Sequence, residues 1–268
     1  MNKILAWVLP ATLFFGTMSA TSCSSDDDQP EPVRKMVVCA IDHYKDNEKD
    51  LCDSLLYDNL GRLVSHHYIV TEDTTLETMY TNIEYFPDRI EEKMYDIQSD
   101  GSFKYRMFTV HYLDANGRIA TTKSSNPREE SKELVNTINY KYDSLGQLTG
   151  NDELTFVWDN GNMTDSRWNT EFSSNPTYGF YPVTLESVNS FLFWMGYYGK
   201  LPKNLPANYH TGSAENGQEA NVSFEYELKD GRVVSYDRHF NIHYPKNNLS
   251  LYSNNHFDIH WKEIVIGQ

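Results

Sequence analysis

The sequence predicts an all-β protein: a long antiparallel β-meander forming a strongly curved sheet or open barrel, with one buried helix near 185–198. Two observations predict this. The first is a recurring unit, an aromatic or apolar run followed by Asp, Gly, a polar residue and another apolar one. Leu56-Tyr57-Asp58-Asn59-Leu60-Gly61-Arg62-Leu63 is its cleanest copy. Tyr142-Asp143-Ser144-Leu145-Gly146-Gln147-Leu148 nearly matches it. Tyr112–Ile119, Trp158–Met163 and Leu228–Val233 follow the same logic. An Asp opening a turn accepts from backbone N–H groups just downstream, and the Gly takes positive φ without a Cβ penalty. Asp58 to Gly61 and Asp143 to Gly146 suit a type I turn closed by a left-handed Gly. Asn160-Gly161 and Asp230-Gly231 suit the tighter primed turns. The second observation is composition: aromatic residues make up 14% of the chain, with tyrosine the commonest, in a polar background that suits half-buried strands.

Taken in order, 36–44, 51–57 and 62–70 read as three strands joined by hairpins. Strands at 77–86 and 90–97 follow, split at Pro87-Asp88. Then come 103–112 and 118–123, a polar stretch at 124–132, and an imperfectly alternating strand at 134–142. Strands at 154–158 and 163–168 flank Asn160-Gly161. The pattern then breaks over 169–220. Residues 184–198 read as the helix, with Thr184 as N-cap, Glu186 in the first turn, and Gly199 and Pro202 as stop signals. Phe191 to Met195 is apolar on every face, which means burial against the concave side of the sheet; an aromatic ligand pocket is the other reading. The stretch 210–218 reads as a long polar loop. Strands at 222–228 and 232–244, a loop or short strand at 247–255, and a final strand at 257–266 complete the chain. The break is where a site is expected.

The N-terminus reads as an address. Lys3, an apolar core at 4–15 and the small residues Ser19, Ala20 and Ser22 lead to Cys23. This is a secretory pattern too short to be read as a membrane span. A Cys after small residues resembles a bacterial lipoprotein signal, in which it is lipidated and becomes the mature N-terminus. Ser24-Ser25-Asp26-Asp27-Asp28 resembles the surface-export signal of Bacteroidota lipoproteins. The expected organisation is a signal peptide at 1–22, a lipidated Cys and acidic tether at 23–33, and a single domain at 34–268. Membrane contact is thus expected through the N-terminal lipid, at the outer membrane facing outward. Net charge of −15 argues against a nucleic-acid partner. Of the two remaining cysteines, Cys39 and Cys52 are offset across their hairpin, so a disulfide and two free thiols both stay open.

These features carry a wider resemblance. The Cys23 anchor, the Tyr-Asp-x-x-Gly-Arg-Leu turns, the Phe-Leu-Phe-Trp-Met-Gly-Tyr-Tyr-Gly-Lys run and Lys203-Asn204-Leu205-Pro206 together look like a family of uncharacterised Bacteroidota lipoproteins. That family carries a domain of unknown function built from an antiparallel β-meander. The turns are also similar to the Tyr-Asp repeats of large shell-forming bacterial toxin proteins, but copies here are few and irregularly spaced. The resemblance implies location and fold, and brings no catalytic residues.

For chemistry, the C-terminal histidines stand out. His239-Phe240-Asn241-Ile242-His243 and His256-Phe257-Asp258-Ile259-His260 repeat one pattern, and alternation puts each set of polar residues on one face. In matched antiparallel register, His243 would face His256, Asn241 would face Asp258 and His239 would face His260. Histidines four apart on a strand are about 13 Å apart, so the four cannot share one tetrahedral ion. The candidate ligands are then two cross-strand pairs with Asp258 near both, against a solvated polar face. His66 and His67 point to opposite faces and cannot chelate together. No nucleophile elbow, zinc-protease helix, phosphate loop or dinucleotide fingerprint occurs, and no cofactor is implied. The sequence therefore favours a binding or scaffold module for a glycan, a peptide or an outer-membrane protein. The alternative is an extracellular polymer hydrolase using carboxylates or the histidine patch.

Overall fold

The computed structural model describes residues 32–70, 78–127, 133–165, 169–177, 180–182, 189–213, 218–244 and 248–267. Cys23 and the signal-like segment lie outside them. The first arm of the sheet runs through β1 (Val33–Lys45), β2 (Glu48–Tyr57), β3 (Leu63–Val70), β4 (Thr78–Tyr85), β5 (Arg89–Ile97), β6 (Phe103–Leu113), β7 (Ile119–Ser124) and β8 (Asn136–Asn139). Two short hairpins follow, β9 (Lys141–Tyr142) with β10 (Leu148–Gly150) and β11 (Phe156–Asp159) with β12 (Asn162–Asp165). The second arm is β13 (Asn169–Pro176), then α1 (Ser190–Trp194), β14 (Asn204–Ser213), β15 (Gln218–Lys229), β16 (Arg232–Tyr244) and β17 (Leu249–Ile266).

Among the described residues, thirteen strands form one antiparallel sheet in the order β13-β14-β15-β16-β17-β1-β2-β3-β4-β5-β6-β7-β8. The fold is thus the all-β meander expected, with one feature that no local pattern announces. The first and last strands pair in its middle, Val33 facing Ile266 and Lys45 facing Asn255. The sheet does not close on itself. Its edges, β8 and β13, have the short hairpins between them: Asn139 N donates to Asp152 Oδ2 at 2.8 Å, and the hydroxyls of Thr164 and Thr170 lie 2.8 Å apart.

The recurring unit explains how strand follows strand. Asp58 Oδ1 accepts from Leu60 N and Arg62 N, both at 2.9 Å, and Gly61 closes the turn onto Asp58 O at φ +72°. Asp114 and Asp143 repeat this with Asn116/Arg118 and Leu145/Gln147, closed by Gly117 and Gly146 at +76° and +78°. Asn160-Gly161 and Asp230-Gly231 instead take two successive left-handed residues, as primed turns require. Burial pushes the Asp58 and Asp114 carboxyls up. Hydrogen bonds from Arg62 and Arg118 outweigh it, and both carboxyls sit below the usual range.

Each unit's final apolar residue is buried, and in four of the five an aromatic side chain from farther along the chain ties down its carbonyl. Tyr85 OH donates to Leu63 O at 2.8 Å and Tyr142 OH to Ile119 O at 2.7 Å. Trp158 Nε1 donates to Leu148 O and Trp261 Nε1 to Val233 O, both at 2.7 Å. Arg62 and Arg118 lie over the rings of Tyr85 and Tyr142 at 4.5 and 4.4 Å. Tyr85→Phe removes the Leu63 tie without removing the ring, and is expected to cost about 1 kcal/mol in urea denaturation. No change in midpoint would show that the tie contributes nothing.

The helix is shorter than expected. It spans Ser190–Trp194, and its N-cap is Asn189, whose side chain accepts from Phe191 N and Leu192 N at 3.1 Å. Thr184 and Glu186 lie outside the described residues. Gly196, at φ +84°, takes the chain out of the helix directly after Met195, three residues before the stop expected at Gly199. A helix this short cannot hold itself together and depends on packing. Leu192 and Phe193 are fully buried. Rings around α1 contact both arms: His66 against Phe191, Tyr85 against Tyr197, Tyr140 against Tyr198 and Phe180 against Tyr236, at 4.5 to 5.8 Å.

One further expectation fails locally, and another is sharpened. The stretch read as a polar loop at 210–218 is strand at both ends, since β14 runs to Ser213 and β15 starts at Gln218. The stretch at 247–255 is largely strand: β17 begins at Leu249, opposite Tyr244.

Candidate functional site

That last pairing decides the fate of the histidine patch. Because Leu249 faces Tyr244, the register carries His243 to Ser250, His239 to Asn254 and Asp237 to His256. The expected pairing of His243 with His256 and His239 with His260 is therefore incorrect. A close hairpin fixes the register, and the matched one would need a longer connection. Each histidine has its own partner. His239 Nδ1 lies 2.9 Å from Asn254 Oδ1 and His243 Nδ1 lies 3.0 Å from Ser250 Oγ. His260 Nε2 lies 3.1 Å from Asp42 Oδ2, across the seam with β1. His256 sits between two carboxylates, with Nδ1 2.8 Å from Asp237 and Nε2 3.1 Å from Asp258. Among the described residues, no three His, Cys, Asp or Glu side chains come close enough to hold one metal ion.

Partial burial pulls the His256 imidazole down, but the hydrogen bonds to Asp237 and Asp258 raise it, and the balance lies above the ordinary value of 6.5. A raised folded value means that the stabilisation is complete below about 6.5 and is lost as pH rises through the folded midpoint. An NMR titration is expected to place the His256 midpoint above that of a free histidine, and Asp237→Asn to bring it down. An unmoved midpoint in the variant would remove Asp237 as the cause.

Cys39 and Cys52 are both unbridged. Cys39 sits where the β1–β17 register shifts between Val38 and Ala40, and its Sγ donates to His260 O at 3.4 Å. Cys52 faces Asp42 across β1 and β2. Burial, then Asp42, push its thiol up to about 11, so it stays protonated and a poor nucleophile near neutral pH. His66 and His67 fall on opposite faces, His66 on Asp53 and Phe191, His67 edge-on to Tyr80.

Two of the concavities lie one on each side of the second arm. The first, of about 460 Å³, is a groove on the face opposite the core, across β14 to β17. Alternation sends Tyr209, Val222 and Phe240 to the core and presents Asn208 and His210, Asn221 and Ser223, His239 and Asn241, and Tyr252 and Asn254 to the groove. His210 Nδ1 meets Asn221 Oδ1 at 2.5 Å. Asn208 donates to Glu171 Oε2 at 2.8 Å. Among the described residues Asn241 Oδ1 is buried without a partner, and Tyr252 is 74% exposed. No Lys or Arg lines the groove among the described residues. Such a wall offers many neutral donors and acceptors and one open aromatic ring.

The second, of about 170 Å³, lies on the concave side beside α1. Phe180, Phe191, Trp194, Phe224, Tyr236 and Phe257 wall it, and Asp53 and Arg238 are its charged members. Part of its wall comes from the break in the repeat, the region singled out in the sequence. Sequence reasoning finds His239 and Asn241 but not the rest of the groove, because it reads 210–218 as loop and assigns no strand to the start of β14. The overlooked signal is the polar doublet two residues apart, Asn208/His210, Asn221/Ser223 and Tyr252/Asn254. For the concave pocket it is the Arg at the centre of Tyr236-x-Arg238-x-Phe240.

Fold and site together define an open antiparallel meander with an aromatic plug on its concave side. The chain belongs to the family described as a domain of unknown function (DUF4595) with porin-like fold, whose model matches residues 55–235. Among solved structures, it is similar to a porin-like protein from Bacteroides uniformis ATCC 8492. There identity is 13%, the match covers 84% of this chain and 98% of that one, and the TM-score is 0.58. A porin-like protein from Bacteroides vulgatus ATCC 8482 is matched at 15% identity over the same shares, with a TM-score of 0.30. No curated protein matches the sequence. Among the described residues, no helix is long and apolar enough to cross a membrane.

Proposed function

We propose that this chain is a cell-surface lipoprotein, anchored to the outer membrane through Cys23, whose meander domain is a binding module for an extracellular glycan. The reading of the address rests on the signal-like segment, the Cys after small residues and the acidic run that follows. The observation that carries the binding role is the outer groove, with its rows of amide and imidazole groups, the unpartnered Asn241 Oδ1 and the exposed Tyr252. Saccharides present alternating hydroxyl donors and acceptors, and stack a sugar face on an aromatic ring. The lack of basic lining groups disfavours an anionic ligand there.

Affinity electrophoresis of the full chain through gels containing neutral polysaccharides tests this. The wild type is expected to be retarded by at least one of them, and both Tyr252→Ala and Asn241→Leu to lose the retardation. Unretarded wild type across neutral glucans, mannans and xylans would overturn the glycan assignment. Metabolic labelling with palmitate tests the anchor separately: label is expected on the wild type and absent from Cys23→Ser.

A further inference from the structure

We infer that the concave pocket beside α1 is a second, separate binding site, built for a small aromatic carboxylate. Its walls are rings contributed by β15, β16, β17, α1 and the segment preceding α1. Phe180 meets Trp194 at 4.9 Å and Tyr236 at 5.7 Å, both tilted, and Tyr236 stacks flat on Phe257 at 4.4 Å. A planar ligand completes this set by edge-to-face and offset contacts.

Arg238 supplies the polar end. Its guanidinium lies over the Phe257 ring at 5.3 Å, and its Nε is buried without a hydrogen-bond partner among the described residues. A guanidinium has five donors and no acceptor, and a buried donor left unmade is costly. Asp53, the acidic residue of the same wall, is held by His66 Nε2 at 2.6 Å. Among the described residues no acceptor meets this Nε–H, and a ligand acceptor in the pocket would satisfy it. A carboxylate matches the guanidinium fork in plane and charge. A plain packing void would be lined by apolar groups alone, and a site for a cation would not carry an arginine. The volume, about 170 Å³, is of the size that takes a single substituted ring.

The test uses the full chain with benzoate as probe, and benzyl alcohol and acetate as its neutral and ring-less counterparts. Benzoate is expected to raise the melting temperature in a saturable way and to change tryptophan fluorescence, a change absent in Trp194→Phe. Benzyl alcohol and acetate are expected to bind at least about tenfold more weakly, the scale of one charge-assisted hydrogen bond. Arg238→Gln is expected to lose the same factor, while Arg238→Lys keeps part of the affinity. Benzyl alcohol binding as well as benzoate would reduce the site to an apolar void and overturn the inference. So would an absent benzoate shift, or unchanged benzoate affinity in a cooperatively melting Arg238→Gln. If that variant does not fold, the wild-type ratio of benzoate to benzyl alcohol decides alone. Tyr252→Ala is expected to bind benzoate normally, which keeps this site distinct from the outer groove.

Discussion

Phe193→Ala is expected to destabilise the domain by about 3–5 kcal/mol, the range for deleting a fully buried aromatic side chain. Phe193 is 1% exposed and packs near Tyr181 and Tyr198, at ring distances of 6.0 and 6.4 Å. Those neighbours have little freedom to collapse into the space. Trp194 is tied to Tyr181 O at 2.6 Å, and Tyr198 packs edge-on against Tyr140 at 5.1 Å. The loss is large against a total that for ordinary domains is about 5–15 kcal/mol. Urea denaturation should show a lower midpoint at unchanged slope. A shift corresponding to less than about 1 kcal/mol would mean that α1 is not part of the same cooperative core.

Gly199→Ala is expected to cost about 2–5 kcal/mol, for two separable reasons. Gly199 holds φ +86°, where a side chain costs about 1–2 kcal/mol. An added Cβ would also lie 2.3 Å from Gly146 O and 3.3 Å from Tyr142 Cε1, and that overpacking adds about 1–3 kcal/mol. The contact is backbone on backbone, and Lys200 N donates to the same Gly146 O at 3.1 Å, so neither side yields cheaply. Gly101→Ala is the control. It holds φ +80° with nothing near its Cβ position, and should show the conformational cost alone. Equal losses in the two variants, measured by urea denaturation, would show that the Gly199 contact is not there.

These two glycines also show what was legible in advance. Gly199 was read as a helix stop because it follows an apolar run. Its actual constraint is a neighbour more than fifty positions away in sequence, which no local pattern encodes. The strands of the first arm were legible because alternation and Asp–Gly turns are local. β13 was missed because Asn169–Pro176 is a polar run rich in Ser and Asn and ending in Pro, whose strand character comes from pairing with β14. The pairing of β17 with β1 was likewise invisible, since both strands carry ordinary alternation and nothing in either names its partner. Alternation correctly assigned the faces of His239, Asn241, His256 and Asp258. It could not give their register, which depends on where β17 begins in the stretch read as a loop or short strand.

Alternation has a blind spot that the aromatic ties cover. A one-residue slip between strands turns every core side chain outward and is forbidden at once. A slip of two residues keeps every face correct and costs the core little, so hydrophobicity alone lets a thirteen-stranded sheet settle into neighbouring pairings. The ties from Tyr85, Tyr142, Trp158 and Trp261 each seek one carbonyl, that of the residue closing an earlier turn. After a two-residue slip that carbonyl is out of reach. The recurring unit thus serves as a vernier: its Asp and Gly form the corner, and its last residue carries the mark against which a later strand is aligned. Proofreading of register is in this way distributed along the chain, one hydrogen bond at a time.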